Sequence, residues 1–134
     1  MLFKAQGKLR YSQNYKLVVE VEQDIVDFYR SLIPKSIKVS RGRWPAHITV
    51  VREKDGLDFP PNMEFWGKYE GEIIEFLYSN QIEYGKIYYW LNVYCVKLEE
   101  IRKELGLPYV SRIALPPEGF KKCFHMTIGN TKGL

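Results

Sequence analysis

Two kinds of hydrophobic pattern divide the chain into predicted strands and helices. Runs in which apolar and polar residues alternate, rich in Val, Ile and aromatic residues, predict strands, and apolar residues spaced three and four apart predict helices. The predicted strands cover residues 16–22, 46–51, 72–78, 87–96 and 123–129. The predicted helices are 24–33, which ends before Pro34, and 98–105, which ends before Gly106 and Pro108.

Each predicted helix has one face that we expect to pack in the core. In the first helix this face comprises Ile25, Phe28, Tyr29, Leu32 and Ile33. In the second helix the same spacing places on one side Leu98, Ile101, Arg102 and Leu105. In the strand 87–96, alternation separates Tyr88, Trp90, Asn92 and Tyr94 from Tyr89, Leu91, Val93 and Cys95.

The order strand, helix, strand occurs twice, first over 16–51 and again over 87–129. This repeat predicts an α+β fold of two lobes with pseudo-two-fold symmetry, in which the last strands of the two repeats hold equivalent positions. Turn-rich segments at 55–62 and 115–119 are too short to separate independent domains. We therefore predict a single domain over 1–134.

The last strand of each repeat carries a His-x-Thr motif, His47-Ile48-Thr49-Val50 in one and His125-Met126-Thr127-Ile128 in the other. The chain has only these two histidines, and two of its three threonines follow them at the second position. In a strand, residues two apart lie on the same face, about 7 Å from each other. Two such strands side by side would bring two imidazoles and two hydroxyls together.

This set of side chains suits displacement at phosphorus. One imidazole, with an ordinary pKa of about 6.5, can be neutral and act as a base while the other is protonated and acts as an acid. Threonine hydroxyls can donate to the non-bridging phosphate oxygens. A single His-x-Thr in a strand is usually an ordinary strand face, but two copies in matching contexts favour a functional site.

With these paired motifs, the chain resembles the 2H phosphoesterase superfamily. The resemblance implies a two-lobed fold with antiparallel sheets lining a central cleft and helices outside. It implies metal-independent phosphodiesterase chemistry without a cofactor, with His47, Thr49, His125 and Thr127 as the catalytic residues. The implied substrates are RNA-like or nucleotide phosphodiesters: a 2′,3′-cyclic phosphate at an RNA terminus, a 2′-5′ oligoadenylate, or a cyclic oligonucleotide.

Charge and aromatic residues beside the motifs suggest how such a substrate would bind. The net charge of +4 permits an anionic partner without requiring one. Cations that could hold phosphate and aromatic rings that could stack on a base give the predicted substrate-binding residues Arg43, Trp44, Tyr84, Trp90, Phe120 and Lys122. The alternative for each is a solvated basic loop or an aromatic residue of the core.

Composition excludes several other classes of protein. A hydrophobic content of 46% excludes a disordered chain, and no apolar run is long enough for a membrane span or a signal peptide. Cys95 and Cys123 are too few for a disulfide framework and lack zinc-site spacing, so we expect a reduced, cytoplasmic protein without a metal. We also expect a monomer.

Three alternatives to the leading prediction stay open. Cys123 lies two residues before His125 and could act as a nucleophile activated by that histidine. The chain could instead be a non-catalytic RNA- or nucleotide-binding module of the same fold. It could also be an interaction domain whose His-x-Thr strands are incidental.

Overall fold

Six antiparallel strands, each hydrogen-bonded to two neighbours, form a closed barrel. The computed structural model describes residues 1–52, 60–111 and 114–132. The strands are β1 (Leu2–Tyr11), β2 (Lys16–Glu20), β3 (His47–Arg52), β4 (Ile73–Tyr84), β5 (Tyr88–Tyr94) and β6 (Phe124–Asn130). The helices are α1 (Gln23–Ser31) and α2 (Val96–Glu104), and a 3-10 turn spans Met63–Phe65. The predicted α+β class is confirmed.

The strand order β1-β2-β3-β6-β5-β4 is symmetric between the two halves of the chain. β4, β5 and β6 are neighbours in the same order as β1, β2 and β3. One half runs β1-β2-α1-β3 and the other β4-β5-α2-β6, so the predicted repeat gains one strand at the start of each half. The halves meet at two seams. β1 and β4 pair at seven positions, from Leu2↔Ser79 to Lys8↔Ile73, whereas β3 and β6 share the single pair Ile48↔Met126.

A continuous row of apolar side chains runs through five of the strands. Its members are cross-strand neighbours in register and all are 0% exposed: Leu9, Val19, Ile48, Met126 and Leu91. The same core contains Val26, Tyr29 and Ile33 of the first half and Leu98, Ile101 and Leu105 of the second half. Because side chains alternate along a strand, the residues on either side of this row project from the opposite face of the sheet. Those residues include all four His and Thr of the motifs.

The apolar face predicted for α1 is partly wrong. Phe28 and Leu32 are 57% and 56% exposed, and the buried residues are Val26, Tyr29 and Ile33. The helix ends at Ser31, two residues before the predicted end, so Leu32 and Ile33 lie in the turn that follows it. The face predicted for α2 is confirmed, because all four of its residues are buried, Arg102 included. Among the described residues no helix has the length and apolar character needed to cross a membrane.

The strands differ from the prediction mainly in their extent. The sequence pattern assigns no element to β1, whose core-side residues Ala5 and Gly7 are too small to give a strong apolar alternation. β4 continues six residues beyond its predicted end, through Ser79 and Asn80. α2 begins two residues early, at Val96. Of the predicted loop 55–62, residues 55–59 lie outside the described ranges.

Candidate functional site

The pair Ile48↔Met126 sets the positions of the two His-x-Thr motifs relative to each other. In an antiparallel register, the residue before one partner lies opposite the residue after the other. Continued one residue in each direction, this register sets His47 opposite Thr127 and Thr49 opposite His125. The four predicted catalytic residues thus flank one cross-strand pair on the face opposite the core, with His125 and Thr127 exposed and the other two half-buried.

His47 is held by the backbone just before it. Its Nδ1 lies 2.7 Å from the carbonyl oxygen of Pro45. A carbonyl can only accept, so Nδ1 carries the proton of this hydrogen bond. Nε2 is then the nitrogen that can exchange a proton with a ligand. On the neighbouring strand β2, Glu20 is the cross-strand partner of His47.

His125 has a different environment, formed by β5. Its ring stacks on Trp90, with the two centroids 5.0 Å apart and the planes at 28°. The Trp90 Nε1 donates to the side-chain oxygen of Asn92, the cross-strand partner of His125, at 3.1 Å. Partial burial of the ring lowers the pKa of His125, and the positive charge of Lys122 lowers it further. The imidazole keeps some contact with solvent but is neutral at pH 7.

The neighbours of the two motifs are not equivalent, although the strand order is. In the first half, Val18 pairs with Thr49 and Glu20 with His47. In the second half, Trp90 pairs with Thr127 and Asn92 with His125. One histidine thus has an aliphatic and a carboxylate residue beside its motif, and the other has an indole and an amide. The site combines a symmetric pair of motifs with asymmetric surroundings.

Trp44, one of the predicted substrate-binding residues, lies next to His47. The two residues line a groove of about 190 Å³ that extends over β1 and β2. Trp44 is 67% exposed, and Lys16 Nζ lies 5.9 Å from the centroid of its ring. Arg43 is exposed in the same segment before β3. This groove therefore combines an accessible aromatic face with a cation beside the motif.

The other predicted substrate-binding residues are divided between two places. Trp90 contacts His125, and Lys122 lies close enough to change its pKa. Phe120 packs on Tyr94, the last residue of β5, with ring centroids 5.6 Å apart. Tyr84 is not brought to the site. It stacks on its cross-strand partner Tyr89, and alternation places that pair on the face opposite Trp90.

Two residues of the candidate site were not predicted from the sequence, because only the register of the strand pairing shows where they lie. Glu20 and Asn92 carry no motif, and only the strand pairing shows that they lie beside the two histidines. Alternation along a single strand indicates which face a residue occupies, but not which residue of the next strand lies opposite.

In the described part of the chain, neither Cys123 nor a group of metal-binding side chains adds a reactive centre near the motifs. Cys123 is buried, and burial raises the pKa of its thiol, which keeps the sulfur protonated and a poor nucleophile. Among residues 1–52, 60–111 and 114–132, no three His, Cys, Asp or Glu side chains are grouped so that they could hold a metal ion. A larger cavity, of about 390 Å³, lies between α1 and the segment after it, and none of its described lining residues is a predicted site residue.

Comparison of the chain with protein-family models, with curated proteins and with solved structures finds no match.

Proposed function

We propose that the chain is a phosphodiesterase of the 2H type, acting on an RNA-like or nucleotide phosphodiester without a metal. The observation that supports this proposal is the pair Ile48↔Met126, because the histidine and the threonine of each motif flank it on neighbouring strands. Two titratable groups and two hydroxyl donors on one accessible face match the needs of in-line displacement at phosphorus. In this proposal the two halves of the barrel correspond to the two lobes of the 2H fold, and the motif face to its cleft.

The surroundings of the histidines divide the catalytic roles between them. His125 is the general base, because its imidazole is neutral at pH 7 and can accept a proton from the attacking hydroxyl. His47 is the general acid and gives a proton from Nε2 to the leaving oxygen, while Pro45 holds Nδ1. Thr49 and Thr127 donate to the non-bridging oxygens. The oxygen–phosphorus bond to the nucleophile forms as the bond to the leaving oxygen breaks, and the two histidines exchange protonation states.

The groove beside His47 supports a nucleotide-type substrate. Trp44 offers an exposed indole on which a base can stack, and Lys16 supplies a positive charge near it. The nucleophile is water for a 2′,3′-cyclic phosphate, and the adjacent ribose hydroxyl is a second possibility for a 2′-5′ or 3′-5′ linkage. These substrates share the phosphodiester and the base, which are the groups that the site can contact.

The test is turnover of three substrates: a 2′,3′-cyclic nucleotide, a 2′-5′ oligoadenylate and a cyclic oligonucleotide, each with and without a chelator. We expect turnover of at least one substrate to survive the chelator. His47→Ala and His125→Ala should each lower kcat by a factor of about 10² to 10⁴. Thr131→Ala, which removes the one threonine outside the motifs, is the matched control for Thr49→Ala and Thr127→Ala. Binding without turnover would replace this proposal by a non-catalytic nucleotide-binding module, and full turnover in either histidine variant would refute the mechanism.

A further inference from the structure

Each of the two helices packs against the motif strand of the other half of the chain. α1 packs against β6, the motif strand of the other half, and α2 packs against β3. Each helix also bonds through its side chains to the backbone of both motif strands or of the residues just before them. The helices therefore span the seam at which β3 and β6 share only one residue pair.

On α1, three side chains form an unbroken chain of hydrogen bonds between the two motifs. The amide of Ala46, just before the first motif, donates to Gln23 Oε1 at 3.0 Å. Gln23 Nε2 donates to Asp27 Oδ1 at 3.0 Å, and Arg30 Nη2 donates to the same oxygen at 2.6 Å. Arg30 Nη1 then donates to the carbonyl of Ile128, at 3.2 Å. The bonds from Gln23 and Arg30 lower the pKa of Asp27, so its carboxylate is charged.

On α2, Glu99 and Arg102 likewise bond to the backbone at the two motifs. Both side chains are buried. Glu99 Oε2 accepts the amides of the two lysines shortly before the second motif, Lys121 at 2.8 Å and Lys122 at 3.2 Å. Arg102 Nη1 donates to the carbonyl of Val50 at 2.7 Å, and its Nε donates to that of Pro108 at 2.6 Å.

The two arginines bond to equivalent points. Ile128 and Val50 each stand three residues after a motif histidine, so each arginine reaches from the helix of one half to the same place on the other half's motif strand. Val50 and Ile128 are also the residues that the β2–β3 and β5–β6 pairings skip where their registers shift. A bulge of this kind leaves backbone groups outside the ladder, and here guanidinium groups bond to the two strand carbonyls. A guanidinium with several bonds has a fixed orientation, which makes it suited to setting a distance.

We propose that Asp27, Arg30 and Arg102 are positioning residues that fix the separation of His47 and His125 across the β3–β6 seam. This inference rests on the proposed function, since a fixed separation matters when one imidazole must take a proton while the other gives one. A displacement of about 1 Å in such a pair can cost a factor of 10² in rate. None of the three residues needs to touch the substrate, so substrate binding should depend on them little.

The decisive variant is Asp27→Asn, which keeps the acceptor oxygen but removes the charge that holds Arg30. Asp27 is partly exposed, so this variant is expected to fold. We expect kcat to fall by a factor of about 10 to 10² with KM within about twofold of the wild-type value. Asp27→Glu, which retains a carboxylate, should recover most of the rate. Asp24→Asn, which removes an exposed carboxylate from the first turn of the same helix, is the matched control and should behave as wild type.

Arg102→Lys tests the second helix, with Lys103→Met as its control on the exposed side of α2. A lysine can reach one carbonyl but cannot hold both in the fixed geometry of a guanidinium. We expect the same loss in kcat with KM unchanged. A loss that follows only the folded fraction, measured by thermal unfolding of each variant, would assign these residues to general stability and overturn the proposal.

A readout without substrate separates this inference from the proposed function. Nuclear Overhauser contacts between Ile48 and Met126 report on the seam, and those between Ala5 and Phe76 report on the β1–β4 seam as an internal reference. We expect the first set to weaken in Asp27→Asn and Arg102→Lys while the reference set is unchanged. If wild type turns over no substrate, the proposed function fails and the seam contacts still decide this inference. Unchanged contacts together with unchanged kcat would overturn it.

Discussion

At the scale of single residues, the two motif histidines differ in the side chains beside them. His125 stacks on Trp90 and lies near Lys122, and both partial burial and the positive charge disfavour its protonated form. His47 has a carboxylate partner, Glu20, and a backbone bond at Nδ1. The proposed roles of base and acid rest on this difference in surroundings.

Removing the charge of Lys122 should raise the pKa of His125. A nearby cation disfavours imidazolium, so Lys122→Met makes protonation easier and reduces the neutral fraction at slightly acid pH. The acid limb of the pH dependence of kcat/KM should then move to higher pH. Titration of the His125 ring protons by nuclear magnetic resonance measures the same change without substrate. Lys121→Met, one residue away and exposed, is the control, and an equal movement in both variants would contradict this explanation.

Cys123 should be dispensable for catalysis. Its thiol is buried with a raised pKa, so it cannot supply a thiolate nucleophile at neutral pH. We expect Cys123→Ala to lose roughly 1 kcal/mol of stability from the small cavity and to keep kcat within about twofold of the wild-type value. Activity and urea unfolding of this variant are measured beside Cys95→Ala, the other buried free cysteine. Loss of turnover in Cys123→Ala alone would restore the cysteine mechanism.

The residues of the candidate site could be predicted where the sequence repeats them, and not elsewhere. The four motif residues could be found because the same spacing occurs twice in matching elements. Glu20, Asn92 and the bonding partners on the helices could not, because each matters through a contact between distant segments. Tyr84 was predicted from its place in a run of aromatic residues, and the strand pairing places it on the other face.

At the scale of elements, β1 packs closely against β2 although the pattern of apolar residues in its sequence does not predict a strand. Its core side carries Gly7, and a Cβ at this position would lie 2.6 Å from the carbonyl oxygen of Glu20 and would also collide with Val19. The absence of a side chain lets β1 approach β2 at the residue that faces His47. Alternation rules detect large apolar residues, and a strand whose inward positions are small escapes them.

Gly7→Ala should therefore destabilise the fold by about 2 kcal/mol, since backbone atoms must move to admit the methyl group. The measurement is urea unfolding followed by tryptophan fluorescence. Gly42→Ala is the matched control, because a Cβ there meets no atom within 4 Å and the variant should be close to wild type. Equal stability of the two variants would show that β1 does not approach β2 as closely as described.

For the helices, the spacing of apolar residues identifies the buried face of α2 but not that of α1. The buried face of α2 follows the spacing of its apolar residues, with Arg102 included because its stem is buried and its guanidinium bonds to strand carbonyls. The face of α1 does not, because the helix stops at Ser31 and its core contacts centre on Val26 and Tyr29. Spacing alone cannot tell which of two adjacent apolar stripes a tertiary contact will cover.

At the scale of the whole molecule, the two seams differ in the number of residue pairs that close them. Seven pairs join β1 to β4 and one pair joins β3 to β6. Local opening of a structure begins where few backbone hydrogen bonds must break. Although side chains of α1 and α2 also span the β3–β6 seam, its strands share so few backbone bonds that we expect the barrel to open there first.

Native-state amide exchange can test this difference in opening. We expect amides of β3 and β6 at their seam to exchange at least about tenfold faster than those between β1 and β4, equivalent to about 1.4 kcal/mol in opening free energy. A substrate analogue that contacts both motifs should slow the faster set. Equal protection at both seams would contradict an opening at the motif face.

The symmetric strand order also bears on how a site with two unlike histidines can arise. In a homodimer of one half, an exact two-fold axis would give both histidines identical neighbours, and any change beside one would be copied to the other. With both halves in one chain, each position can change independently, as with Val18 and Glu20 in one half against Trp90 and Asn92 in the other. Covalent fusion of the repeats thus permits this symmetric architecture to give its two histidines different neighbours, as the proposed proton donor and acceptor require.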